Sequence, residues 1–349
     1  MKRIIIIISI GIYFSFSSYA LFAADCNKPT MPSNKDWQSW IEEAKLLALE
    51  AGISRNTIDS ELSDVKPSSK ILLRDKCQVE STITLNEYLY YRLDKARIVA
   101  GNNIMNKYQI ELKLIGNFFN IQPRFIVSIL GLESYYGKNQ GSISTIQAVL
   151  NLSFDLRRSN FYKKQLIAAL KIIDKGLSSQ NLLGSWGGAV GMPQFIPTTY
   201  LDSGYDWNAD GVVDIWNNYE DVFASIANYL TSIDKNPWYD NMTWGREVIP
   251  PKNIKETFNS FKQNNPKGCG AVKSRSVAKS LDEWQQFGFR TIEGNDLQNN
   301  IDHEARLVAP DGINGRMFLV YPNYKNILYY NCSSYYAIAI GLLSDAIKN

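Results

Sequence analysis

The stretch "PRFIVSILGLESYYG", Pro123 to Gly137, constrains the chain more than any other. Proline is tolerated in a first helical turn and glycine closes helices, so the two frame a helix. Between them the positions are apolar nearly all round, without the polar stripe that a surface helix keeps. Such a helix has to be enclosed by other elements, and it carries one carboxylate, Glu133, into that interior. An unpaired buried carboxyl holds its proton more tightly than a solvated one. A carboxylic acid still protonated near neutrality is what general-acid catalysis needs. The competing reading is a glutamate satisfied by a buried partner or turned to solvent.

The text around it is of the same kind. "WQSWIEEAKLLALEAGIS" sets Trp37, Trp40, Ile41, Ala44, Leu47 and Ala48 on one helical face and closes at Gly52. The run from Leu85 to Phe119 has the helical period and few breakers, which predicts long helices. Further helices are predicted at about 144–154, 159–176 and 220–233. After Pro250 and Pro251 the style changes to short β-rich pieces, "ARLVAP" and "GRMFLVYP", among Gly, Asn and Pro. The end, "SSYYAIAIGLLSDAIKN", is helical again. The fold class is therefore mainly α (α+β). An N-terminal helical domain is expected over 25–110 and a helical core over 111–245, with a small β-containing insertion over 246–320 and a return to the core over 321–349.

Ahead of the domains, "MKRIIIIISIGIYFSFSSYALFAADC" places Lys2 and Arg3 before a short apolar run that ends in small residues. It reads as a signal peptide over 1–24, which implies export to the periplasm. A retained anchor is the alternative, as is lipid attachment at Cys26, although Asp25 suits lipidation poorly; membrane association stays open. Lys and Arg number 37 against 34 Asp and Glu, and losing Lys2 and Arg3 with the leader brings the two almost level. Nucleic acid is thus not an expected partner, because such binders concentrate basic charge. Cys26, Cys77, Cys269 and Cys332 would meet an oxidising compartment, and four cysteines can pair in three ways. The single histidine, His303, excludes a two-histidine zinc helix and leaves a Ser-His-Asp triad only one candidate.

Two other stretches hold groups suited to sugars. "GSWGGAVGMPQFIPTTY" combines glycines with the neutral hydrogen-bonding groups of Ser185 and Gln194 and the flat faces of Trp186 and Phe195. A tight helix-packing loop would read the same way. "YYNCSSYYAIAIG" brings Tyr330, Asn331, Ser333, Tyr335 and Tyr336 to a helix start, where a capped aromatic core is the plainer reading.

Together with "LRDKCQVESTITLNEYLYYRLDKAR", "NLSFDLRRSNFYKKQL" and "DEWQQFGFRTIEG", these motifs resemble the lytic murein transglycosylase B family over nearly all of the mature chain. The resemblance implies a lysozyme-like core and an exo-acting lyase on peptidoglycan glycan strands. It also implies one acid/base, Glu133, and no catalytic cofactor. Ser185, Gln194, Tyr330, Asn331 and Tyr336 fall on the family's cleft positions. The residues themselves say nothing of glycan ends against interiors, or of partner enzymes in the wall. A bond from Cys332 to Cys269 would staple the terminal motif to the β insertion. A water-using muramidase and a non-catalytic wall-binding protein are the competing functions.

"DWNADGVVDIWN" starts as a calcium loop does. Asp206, Asn208 and Asp210 stand at alternate positions, Gly211 allows the turn, and Val212 can offer its carbonyl. Asn217 then stands where the template has Glu. The resemblance favours a later carboxylate, and helical register favours Asp221 over Glu220 as the closing ligand. Hard oxygens select calcium, in a structural role; the alternative is an ion-free loop built on Asx turns.

Overall fold

The computed structural model describes residues 31–76, 83–155, 158–233, 236–297 and 304–347. The expected leader, Cys26, Cys77 and His303 lie outside the described residues.

The Pro123–Ser134 helix is the hub. Lys95–Lys107, Gln109–Phe119, Tyr219–Ser232 and Ser334–Ala346 all pack against it, which accounts for its lack of a polar face. Phe125, Ile126, Val127, Ile129 and Leu130 are fully buried. Instead of long helices, the run from Leu85 to Phe119 forms three: Leu85–Arg92, Lys95–Lys107 and Gln109–Phe119. The first break is a local signal, since the Asp94 carboxylate caps the Arg97 N–H at 2.9 Å. The second falls at Tyr108, which ends one helix and starts the next without any side-chain cap.

The first helix, Asn34–Glu50, buries the predicted face, with Leu47 only partly covered. Its anchors are polar as well as apolar: Trp40 Nε1 donates to the Leu150 carbonyl at 3.2 Å, and Trp37 Nε1 to that of Val65 at 2.9 Å. Asp174, at the end of the Ser159–Asp174 helix, accepts from the hydroxyls of Ser54 and Thr57 at 2.6 and 2.7 Å. These bonds tie the leading helices to the Thr145–Phe154 and Ser159–Asp174 helices.

The short strands β1 (Ile143–Ser144) and β2 (Leu183–Gly184) pair with one another. A larger antiparallel sheet is built from β3 (Gly245–Ile249), β4 (Ala278–Lys279), β5 (Arg290–Thr291), β6 (Ala305–Val308) and β7 (Met317–Val320), in the order β4-β6-β7-β3-β5. Every residue of β7 is buried. Strand side chains alternate between faces, so Met317 and Leu319 join a separate core around Trp284 and Phe289, while Phe318 and Val320 join the helical core. This strand is therefore the seam between the sheet and the helices. Trp244 seals the same seam: it lies so close to Gly341 that a Cβ there would come within 2.1 Å of the indole, and its Nε1 donates to Asp345 at 2.9 Å.

Candidate active site

The hub helix ends at Ser134, three residues before Gly137. Tyr135, Tyr136 and Gly137 follow with φ of 52°, 58° and 85°, a left-handed run that costs side-chain-bearing residues about 1–3 kcal/mol each. The surroundings enforce it. Tyr136 N–H donates to the Leu130 carbonyl at 3.1 Å, its hydroxyl to the Arg97 carbonyl at 2.8 Å, and Gly137 N–H to Ser134 Oγ at 2.9 Å. The consequence is positional: the chain turns away immediately after Glu133, which stays half-buried at the helix end instead of lying under another turn.

From the far end of the sequence, the Tyr336 hydroxyl donates to Glu133 Oε1 at 2.6 Å. Burial, and after it the Glu133 charge, hold the Tyr336 phenol far above its ordinary pKa. Tyr330 is raised by the same causes in the same order. Both phenols keep their protons and act as donors. The Tyr330 ring stacks beside Tyr336 with centroids 6.5 Å apart, and its hydroxyl donates to the Pro193 carbonyl at 2.5 Å. Glu133 is the only carboxylate among the described residues that raises these two phenols.

The glycine-rich loop closes the circuit. Gln194 sits at φ 53°, and its Nε2 donates to the Gln140 carbonyl at 3.0 Å and that of Gly191 at 2.8 Å. Gln140 Nε2 in turn donates to the carbonyls of Gly137 and Trp216, at 3.1 and 3.0 Å. A chain of contacts thus runs from Glu133 through Tyr336, Tyr330 and the Pro193–Gln194 turn to Gln140 and back to Gly137. Ser185 joins at one remove, through the bridges Gly184 to Val190 and Val190 to Phe195, and its Oγ accepts the Ala189 N–H at 3.2 Å. Close backbone approach explains two of the glycines: a Cβ on Gly141 would meet the Gly184 carbonyl oxygen at 2.1 Å, and one on Gly184 the Ala189 carbonyl oxygen at 2.0 Å. Asn331 lies exposed just past the Pro322–Tyr330 helix.

Sequence reasoning passed over Gln140 and Tyr229. Tyr229 packs on Tyr330 and Phe195, and its hydroxyl donates to the Tyr329 carbonyl at 2.7 Å. Neither residue stands in a motif; both matter through contacts distant in sequence. Phe195 is buried in that cluster, so of the two expected flat faces only the half-exposed Trp186 is open to a sugar.

The 206–217 loop supports the circuit: the Ile215 carbonyl accepts Met192 N–H at 2.9 Å, and that of Trp216 holds Gln140. Its acids accept from the loop's own backbone, Asp210 and Asp214 in Asx turns. Asp206 accepts the N–H groups of Asp210 and Gly211, Asp210 that of Val212, and Asp214 those of Trp216 and Asn217. Asp221, the expected closing ligand, lies in the first turn of the Tyr219–Ser232 helix. It is fully buried, and its two oxygens accept the N–H groups of Trp207 and Asp214, each at 2.9 Å, so it pins the loop's ends to the helix. Glu220, by contrast, lines an open hollow with Asp210, Asp214 and Asn217. Among the described residues no three acidic, histidine or cysteine side chains converge as a metal cage, so any cation seat has to use Asn208 and backbone oxygen as well.

A family model described as the transglycosylase SLT domain matches residues 36–345. The chain belongs to this family. The transglycosylase is 25% identical over 309 residues to the membrane-bound lytic murein transglycosylase B of Escherichia coli K12, covering 85% of this chain and 79% of the relative. It is similar to SltB3 of Pseudomonas aeruginosa, whose crystal structures hold NAG-anhNAM-pentapeptide and NAG-NAM-pentapeptide, with TM-scores of 0.79 and 0.78. Identity there is 33%, over 90% of this chain and 80% of SltB3. Slt35 of Escherichia coli, crystallised with calcium, shares the fold at 22% identity and a TM-score of 0.70, over 90% of this chain and 93% of that one. The lysozyme-like fold is common to this group, and the chain is a lytic transglycosylase.

Proposed function

We propose that this transglycosylase cleaves peptidoglycan between N-acetylmuramic acid and N-acetylglucosamine without using water, with Glu133 as acid and then base. The observation that carries the reading is the Tyr336 hydroxyl on Glu133 Oε1 at 2.6 Å, in a circuit holding one carboxylate and two protonated phenols.

With Oε1 accepting from Tyr336, the proton of the carboxyl sits on Oε2 and is donated to the glycosidic oxygen. The bond from C1 to that oxygen breaks, and N-acetylglucosamine leaves with the proton. The muramyl acetamide stabilises the positive charge at C1. Glu133, now a carboxylate held in place by the Tyr336 O–H on Oε1, takes the proton of the muramyl 6-hydroxyl on Oε2, and the hydroxyl oxygen closes on C1. A 1,6-anhydro end results, and Glu133 regains its proton. One carboxylate suffices because the substrate supplies both the charge stabiliser and the nucleophile; most glycosidases need two.

The other groups orient the glycan. Gln194 has committed its Nε2 to two carbonyls, which leaves its carbonyl oxygen to accept a sugar hydroxyl or acetamide N–H. Ser185 accepts Ala189 N–H and so keeps its own proton to donate. Asn331 and Trp186 offer an amide and a ring at the rim.

Calcium fits the 206–217 loop by donor type, with Asp206, Asn208, Asp210 and the Val212 carbonyl as ligands and Glu220, rather than Asp221, as the closing carboxylate. Its contribution there is to stiffen the support of Met192 and Gln140. Export to the periplasm follows from the substrate and agrees with the bond between Cys269 and Cys332.

Digestion of purified peptidoglycan followed by mass spectrometry tests the reaction. Products lighter by one water than reducing-end muropeptides are expected. Reducing ends would make the protein a muramidase, and no release at all would leave it a wall-binding protein.

A further inference from the structure

We infer that a hollow beside the larger sheet, built on the Arg275 guanidinium, binds a carboxylate, and that its ligand is the C-terminal carboxylate of a peptide stem; the second part rests on the proposed peptidoglycan substrate.

The hollow measures about 420 Å³, with Phe258, Phe261 and Leu307 among its walls and Lys262, Lys273 and Arg275 as its cations. Arg275 is only 7% exposed. Its Nε donates to the Val272 carbonyl at 3.2 Å, while its two terminal nitrogens have no protein partner among the described residues and are not sealed from solvent. Burial, with Arg306 nearby, lowers its pKa to about 10, so it stays charged at neutral pH. No carboxylate pairs with Arg275, Lys262 or Lys273 among the described residues. Asp311, next to Gly312 on the rim, is already engaged by the Leu85 N–H and the Tyr335 hydroxyl.

A guanidinium this deeply covered without a counter-charge is costly, and an arriving anion removes the cost. The planar fork selects a carboxylate over a point charge. The apolar walls select small apolar groups beside it, as in a peptide ending in alanine. Position favours a stem attached to the glycan. The Gly270–Lys273 helix packs on Pro322–Tyr330, and Cys269 is bonded to Cys332, the residue after Asn331. The helix that lends Lys273 to the hollow is thus tethered by one disulfide to the residue after Asn331.

The test is calorimetric titration of the full chain with diacetyl-lysyl-D-alanyl-D-alanine, its C-terminal amide, acetate and inorganic phosphate. The acid is expected to bind roughly tenfold more tightly than the amide, and more tightly than either small anion. Arg275→Met should abolish the preference. The surface pair Lys262→Ala/Lys273→Ala should weaken the acid several-fold without moving the thermal midpoint, which keeps the test readable if Arg275→Met does not fold. Equal binding of acid and amide, or unaltered binding by the surface pair, overturns the carboxylate site. Acetate or phosphate binding as tightly as the peptide overturns the stem assignment. The titration needs no turnover, so absence of anhydro products would count against the proposed reaction and leave this result standing.

Discussion

Glu133 and Tyr336 are the residues on which the proposed reaction turns, and they are separable by substitution. Glu133→Gln removes the transferable proton while keeping the shape, so kcat on peptidoglycan should fall by about 10²–10⁴-fold with the thermal midpoint nearly unchanged. Near-normal turnover by this variant would end the assignment. Tyr336→Phe keeps the stacked ring and deletes one hydrogen bond to a charged group, typically about 1.5–3 kcal/mol, so kcat should drop roughly ten- to a hundredfold. A change confined to KM would instead make Tyr336 a sugar contact. Glu133 is legible as a lone carboxylate in an apolar helix. Its hydrogen bond to Tyr336 spans 203 residues, and no spacing reveals such a pairing.

Two elements are held by carboxylates that act on backbone and hydroxyl donors. Asp174 accepts from Ser54 and Thr57, and those hydrogen bonds hold its pKa below the ordinary 3.8. A lowered folded-state value means that the carboxylate stabilises the fold above pH 3.8 and that this contribution is lost as the pH falls through the folded value. Asp174→Asn should therefore unfold at a lower temperature than wild type at pH 7, and the gap should close in acid well under pH 3.8. A gap independent of pH would mean that the bonds, not the charge, matter. In the 206–217 loop, millimolar calcium should raise the thermal midpoint, and Asp206→Asn should abolish the rise while Asp221→Asn lowers the midpoint with or without calcium. No response to calcium in wild type would leave an ion-free loop of Asx turns. Helical register favours Asp221 over Glu220 as the closing ligand, but neighbours on a helix point about 100° apart, and which of them faces the loop depends on how the helix docks.

At the scale of the molecule, the sheet is joined to the helices by β7, by Trp244 and by the bond between Cys269 and Cys332, 63 residues apart. Closing a loop of that length restrains the unfolded chain by about 4 kcal/mol. Cys269→Ser/Cys332→Ser should lose about 2–5 kcal/mol in denaturant titration, and in the proposed scheme turnover should suffer as well, since Cys332 adjoins Asn331. Full stability of the double variant would show the seam to be self-sufficient. The α+β class, the position of most helices, the buried hub and its one carboxylate follow from apolar periodicity and from Pro and Gly, because these signals act over a few neighbouring residues. The break at Tyr108, the loss of Phe195 to the core, the buried duty of Asp221 and the circuit from Glu133 to Gln140 depend on contacts between segments far apart in the chain. Only packing three-dimensional surfaces together settles those, because a side chain's partner is set by distance in space, and the sequence carries distance along the chain alone.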